Sequence, residues 1–166
     1  IIAETVGNLG CKLTVEPGRW LVGRAGLLVT EVLYLKDVDS DAVAIIDGGM
    51  NDLIRPALYD ATHPVIPINE PEQNTKSQHR IVGPICESSD DFGYYDGLGK
   101  LAAGDLVAFD CAGAYGATMS STYNSRDLIA EVLVEDGRYR LIRNRLDIRE
   151  QLKIEDKGEW KSAVGF

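Results

Sequence analysis

Along most of this chain apolar and polar positions alternate in short runs that end at glycine, proline or acidic residues. From Cys11 to Val15 the pattern predicts a buried strand, closed by Pro17 and Gly18, which continue neither a ladder nor a helix comfortably. Trp20 to Gly26 reads as a short helical connection. Leu27 to Leu35, rich in branched and aromatic residues, predicts a strand. A polar turn from Asp37 to Asp41 then leads to a strand from Ala42 to Ile46, ended by Asp47-Gly48-Gly49. Asp52 to Tyr59 predicts a short helix despite Pro56, Pro64 to Ile68 a strand, and Asn69 to Gln78 a loop. Further strands are expected at Ile81 to Ile85, Asp105 to Asp110, Glu131 to Glu135 and Arg138 to Arg143. Asp136-Gly137 joins the last two as a hairpin. A C-terminal helix is expected from Ile148 to Glu155. Many short strands broken by glycine-rich turns indicate a mainly β chain, a barrel or a sandwich. No repeat is visible, and the one soft boundary falls near Ala25 to Leu28.

Composition narrows the class. The chain has 166 residues, enough for one domain with a core, or one domain plus a fragment. A formal charge of −9 argues against non-specific nucleic-acid binding, which needs a basic face. Cys11, Cys86 and Cys111 are odd in number and unrelated in spacing, which fits neither a disulfide framework nor a zinc site and suggests reduced thiols in a cytoplasm. No apolar stretch approaches the ~18 residues of a membrane span. Ile1-Ile2-Ala3 lacks the basic start of a signal peptide, and a first residue other than methionine reads as a processed, truncated or cut chain.

Several motifs lack the residues their chemistry requires. Asp37, Asp39 and Asp41 imitate a calcium loop, but Ala42 and Gly48 stand where the sharp-turn glycine and bidentate glutamate belong. Gly97-Leu98-Gly99-Lys100 is not a phosphate loop, because Tyr94 and Leu101 replace the first glycine and the Ser/Thr. His63 and His79 are isolated and read as surface histidines.

Other segments can carry chemistry. Glu16-Pro17-Gly18-Arg19 places a carboxylate and a guanidinium at a strand tip, around a corner whose backbone can approach an anion; a turn with a local ion pair accounts for it equally well. Arg55 and Tyr59, four apart, share a helix face, as ordinary surface pairs also do. Cys86-Glu87 after Gly83-Pro84 is either a plain turn with a buried thiol or a thiol–carboxylate pair able to move protons. Tyr115, between Gly113-Ala114 and Gly116, either packs a barrel or lets a ligand ring or phosphate come close.

In order, EPGR, DGGMNDLIRPALYD, GPICESSD, GDLVAFDCAGAYGATMSSTYN and AEVLVEDG span nearly all of Val15 to Glu135. Together they resemble the C-terminal part of the diaminopimelate decarboxylases, pyridoxal-phosphate (PLP) enzymes of the alanine-racemase-like fold. The resemblance implies an antiparallel β-barrel domain over residues 27–166. Residues 1–26 would be a short remnant of a preceding (β/α)8 barrel. It implies a parent enzyme that converts meso-2,6-diaminopimelate to L-lysine and CO2 in the cytoplasm, as a homodimer with shared active sites. Glu16 would face the pyridine nitrogen of PLP, and Gly18 and Tyr115 its phosphate. Arg19, Arg55 and Tyr59 would grip the retained substrate carboxylate, with Tyr115 also touching substrate. Glu87 would bind the distal ammonium, and Cys86 would donate the proton that replaces the lost carboxylate. The Cys86–Glu87 loop would serve the neighbouring subunit's cofactor.

Departures and rivals follow from the same comparison. None of Lys12, Lys36, Lys76, Lys100, Lys153, Lys157 or Lys161 stands in the context of the family's cofactor lysine, so the chain alone is expected to be inactive and to bind no PLP covalently. One rival is a non-catalytic interaction or dimerisation module, or a pseudo-enzyme. Another is a decarboxylase of ornithine or a related basic amino acid. Ornithine-type relatives carry aspartate after the cysteine, and Glu87 with two substrate-side arginines favours diaminopimelate.

Overall fold

The longest strand shows how the pattern builds the sheet. Along β1 (Leu28–Val38), Leu28, Thr30 and Val32 are buried while Val29, Glu31 and Leu33 face outward. Pairing with β2 (Asp41–Ile46) matches Val32 to Ile46 and Tyr34 to Ile45, leaving Leu33 as the extra residue of a bulge. A bulge shifts a strand's inward phase by one. Beyond it Leu35, an odd position, packs against the core that even positions reached before. The computed structural model describes residues 2–38, 41–69, 78–155 and 158–162.

Four more strands complete this sheet: β3 (Val65–Pro67), β4 (His79–Val82), β5 (Asp91–Tyr95) and β6 (Leu106–Phe109). Their order is β3-β6-β1-β2-β4-β5, antiparallel throughout except for the parallel pair β2–β4. The domain is mainly β, as expected, and its sheet is a curled half-barrel with β3 and β5 as edges. Pro67, which cannot donate to a ladder, sits on an edge strand, where this costs least.

Inside the curl Phe109 is fully buried, with Phe92 4.7 Å away between ring centroids and Tyr95 edge-on at 6.3 Å. The Tyr95 hydroxyl donates to the Phe92 carbonyl at 2.8 Å, and its burial pushes the phenol up to about 12. Val32, Ile46, Leu53, Ile81 and Val107 fill the rest. Each such side chain contributes on the order of 2 kcal/mol of transfer free energy.

Outside the sheet, β7 (Glu131–Glu135) and β8 (Arg138–Arg143) form the hairpin expected, with its ends where the sequence put them. Asp136 and Gly137 both take positive φ, as a primed two-residue turn requires. The helices are α1 (Ile2–Val6), α2 (Gly18–Val22), α3 (Arg55–Tyr59) and α4 (Ile148–Glu155).

Several expectations are corrected. Cys11 to Val15 is neither a strand nor buried: it is irregular, with Leu13 and Val15 more than half exposed. Alternation without a partner strand has no ladder to join. Strand β4 starts earlier and ends earlier than Ile81 to Ile85, because His79 and Arg80 pair with Ala42 and Val43. Strand β5 has no counterpart in the expected pattern. The loop from Asn69 to Gln78 and the centre of the Asp37 to Asp41 turn lie largely outside the described residues. His63 and His79 are buried, at 0% and 3% exposure, not on the surface.

Candidate active site

Gly18, Arg19, Arg55 and Tyr115 come from three distant segments, and two features gather them. The first is glycine packing. The turn after β6 is tied to the short 3-10 helix Gly23–Ala25 that follows α2. Ala112 N–H donates to the Gly26 carbonyl at 2.9 Å, and Gly113 N–H to Gly23 at 3.0 Å. A Cβ on Gly26 would lie 2.6 Å from the Gly113 Cα, and one on Gly113 would collide with the Val22 carbonyl. Only glycines permit this approach. It carries Tyr115, itself at φ +60°, over the start of α2, where a Cβ on Gly18 would reach only 3.9 Å from the hydroxyl. That is ordinary van der Waals contact, so glycine at this position leaves free only the room a side chain would fill beneath the hydroxyl.

The second feature is His63. Its ring is wholly buried, with Nδ1 2.9 Å from the Asp110 carbonyl oxygen and Nε2 3.4 Å from Arg55 Nη1. Burial pushes the imidazole below its ordinary value. The Asp110 carbonyl opposes this, and the Arg55 and Arg19 guanidiniums reinforce it. Arg19 and Arg55 thus act on one buried group. Tyr59 lies one turn beyond Arg55 on α3 and is exposed, and Glu16 lies exposed just before α2.

Cys86 and Glu87 occupy a separate loop, residues 83–90, and both are exposed. The thiol is exposed, which removes the alternative of a plain turn with a buried cysteine. Among the described residues no hydrogen bond or ion pair links this loop to Arg19, Arg55 or Tyr115. Its backbone is organised by Asp90, which is 4% exposed. One carboxylate oxygen accepts from Ile85 N–H at 2.7 Å and the other from Met50 N–H at 2.6 Å. Gly83 N–H donates to the Asp90 carbonyl at 2.9 Å, and a Cβ on Gly83 would collide with the Asp90 carboxylate. Burial raises the Asp90 carboxyl above its ordinary value even though two N–H groups favour the anion. Glu87 is the reverse. The Ser89 N–H and the Ser88 and Ser89 hydroxyls donate to its carboxylate and hold it below the usual glutamate value.

A polar network joins the segment 121–126 to the turn leading into α3, the turn that Met50 ties to Asp90. Arg126 donates to Asn51 Oδ1 at 3.0 Å and to the Asp47 carbonyl, and Ser121 N–H donates to the Asn51 carbonyl at 2.9 Å. Asp52 accepts from Gly49 N–H at 3.0 Å, and burial raises its carboxyl as it does that of Asp90. Sequence reasoning gave neither Asp90 nor His63 a part in the site. The paired Asp90-Asp91 gave a faint signal, and nothing local marked His63.

The family model for the C-terminal sheet domain of pyridoxal-dependent decarboxylases matches residues 16–113. The chain belongs to this family. It is 43% identical over 160 residues to a diaminopimelate decarboxylase of Zymomonas mobilis, covering 96% of this chain and 38% of that protein. Another diaminopimelate decarboxylase, from Aquifex aeolicus, is 45% identical over 145 residues, which is 87% of this chain and 34% of its relative. Among solved structures, the Helicobacter pylori diaminopimelate decarboxylase complexed with L-lysine superposes with a TM-score of 0.79. It is 37% identical, across 95% of this chain and 39% of that one. The chain thus spans under two fifths of the length of these relatives. Among the described residues no helix is long and apolar enough to cross a membrane, and no three His, Cys, Asp or Glu side chains cluster to hold a metal ion.

Proposed function

We propose that this chain is the C-terminal part of a PLP-dependent decarboxylase that converts meso-2,6-diaminopimelate to L-lysine and CO2. Residues 27–166 would be the sheet domain and residues 1–26 the end of the cofactor-binding barrel. The observation that carries the reading is the convergence of Gly18, Arg19, Arg55 and Tyr115 in a chain so similar to diaminopimelate decarboxylases along its length.

The donor set fits one end of PLP. A side-chain-free Gly18 beneath a tyrosine hydroxyl, with a guanidinium adjacent, suits a phosphate, and Glu16 just before it suits a protonated pyridine nitrogen. When bound, PLP supplies the electron sink for decarboxylation. Arg19 and Arg55, with Tyr59, would hold the carboxylate that is retained, and Tyr115 would contact both phosphate and substrate. On the other loop, the serine-held Glu87 carboxylate stays ionised for an ammonium partner, and Cys86 would deliver a proton to the carbon that loses CO2. A homodimer in which each loop completes the partner's site would bring the two groups together. A cytoplasmic location fits three thiols with no disulfide.

The complete protein loaded with PLP should release CO2 from meso-diaminopimelate and form L-lysine, while this 166-residue chain alone should not. The upstream reading frame should encode a lysine-bearing barrel strand; its absence would favour an interaction module. Turnover of ornithine but not diaminopimelate would replace the substrate assignment.

A further inference from the structure

Arg55 is a flexible side chain on a five-residue helix, and a carboxylate grip needs its guanidinium held in place. We infer that His63 is the positioning residue that holds it, acting as a neutral hydrogen-bond acceptor; this rests on the reading of Arg55 as a carboxylate ligand. The tautomer follows from the partners. A carbonyl oxygen only accepts, so Nδ1, 2.9 Å from the Asp110 carbonyl, carries the proton. Nε2 then presents a lone pair to Arg55 Nη1 at 3.4 Å. A protonated ring would oppose N–H to N–H and charge to charge.

The surroundings keep it neutral. No part of His63 reaches solvent, the charged groups acting on it are Arg55 and Arg19 against Asp110, and burial disfavours the cation outright. Asp110 is in turn fixed, its N–H donating to the Pro64 carbonyl at 2.7 Å. The ring therefore bridges the turn that carries Tyr115 and the helix that carries Arg55. One Arg55 N–H edge is occupied by a neutral partner, which leaves its charge uncompensated for an incoming anion.

Two amide substitutions separate this role from mere anchoring. His63→Asn keeps a donor near the position of Nδ1 and loses the acceptor at Nε2, and His63→Gln does the reverse. In the PLP-loaded complete enzyme we expect His63→Asn to weaken L-lysine binding about tenfold, on the scale of one charge-assisted hydrogen bond. The KM for meso-diaminopimelate should rise by a similar factor, with kcat within about twofold. Binding of 1,5-diaminopentane, which has no carboxylate, should not change. His63→Gln should stay within about threefold of the parent, and an Arg55→Ala background should erase the His63→Asn effect. The opposite order, with His63→Asn near-normal and His63→Gln impaired, overturns the inference. So does a folded His63→Gln variant that has lost its preference for lysine over the diamine. If Arg55→Ala abolishes that preference while His63→Asn does not, the inference fails and the reading of Arg55 stands. If neither does, the carboxylate role of Arg55 fails first.

Discussion

The two candidate site regions of this domain are held by opposite devices. At residues 83–90 a buried carboxylate grips backbone: Asp90 fixes Ile85 and Met50 N–H groups, and the exposed Cys86 and Glu87 go where that backbone takes them. Around α3 a buried imidazole grips a side chain, since His63 touches Arg55 at the guanidinium. A backbone anchor cannot be lost without reshaping the loop. A side-chain anchor can be lost with the fold intact. The first should therefore register as stability, the second as affinity.

The largest effect expected is at Gly83. Gly83→Ala drives a methyl into the Asp90 carboxylate and should cost about 3 kcal/mol, as buried hydrogen bonds break and strain is added. Asp90→Ala should cost a similar amount. The double variant should be little worse than Asp90→Ala alone, because the added methyl then has room. Chemical denaturation of the parent and the three variants measures this, and simple additivity would break the comparison.

Next comes pH. The folded His63 imidazole titrates below its unfolded value of 6.5, so its contribution to stability is complete above that value. It is lost as pH falls from about 6.5 through the folded value, because only the unfolded chain takes up the proton. Asp52 and Asp90 have the opposite sign. Raised from 3.8, they contribute most below 3.8 and lose that contribution as pH rises through their folded values. Between about pH 7.5 and about pH 5 the parent should lose more stability on acidification than His63→Gln does, as compared by unfolding curves. A slope unchanged by the substitution would sink the assignment of a neutral buried ring.

The smallest effect on folding is expected at Glu87. Its carboxylate is exposed and bonded only to neighbouring serines, so Glu87→Gln should leave the melting temperature where it was. In the complete enzyme the same change should raise the KM for diaminopimelate about tenfold through loss of a charged contact. A melting shift as large as that of Asp90→Ala would mean that the loop is held from its tip.

What could be read in advance follows the range of the forces. The hairpin β7–β8 was legible to the residue because Asp136-Gly137 sets its register locally. Strand β5 was not, because Asp91 and Gly93 sit within five residues, and Gly93, at φ +95°, lies beside a register break that slips Phe92 into the core. Cys11 to Val15 shows the converse, alternation with nothing to pair with. Arg55, Glu87 and Tyr115 could be named because their motifs are contiguous. The role of His63 could not, since its ring is placed by the Asp110 carbonyl 47 residues away, and that of Asp90 only in part, since Ile85 is near in sequence but Met50 is 40 residues away.

The strand order also sets a timetable. β1 and β2 are sequence neighbours and can pair at once, whereas β6 must insert between β3 and β1, matching Leu28 to Phe109. Pairings that close long loops form slowly, because chain entropy is lost before contacts repay it. The Gly23–Gly113 and Gly26–Ala112 bonds wait on β6, since the turn that carries Gly113 and Tyr115 begins where β6 ends. The corner around Gly18 and Tyr115 would therefore assemble only once β6 is in place, together with the Phe109 core and not with the early β1–β2 pair.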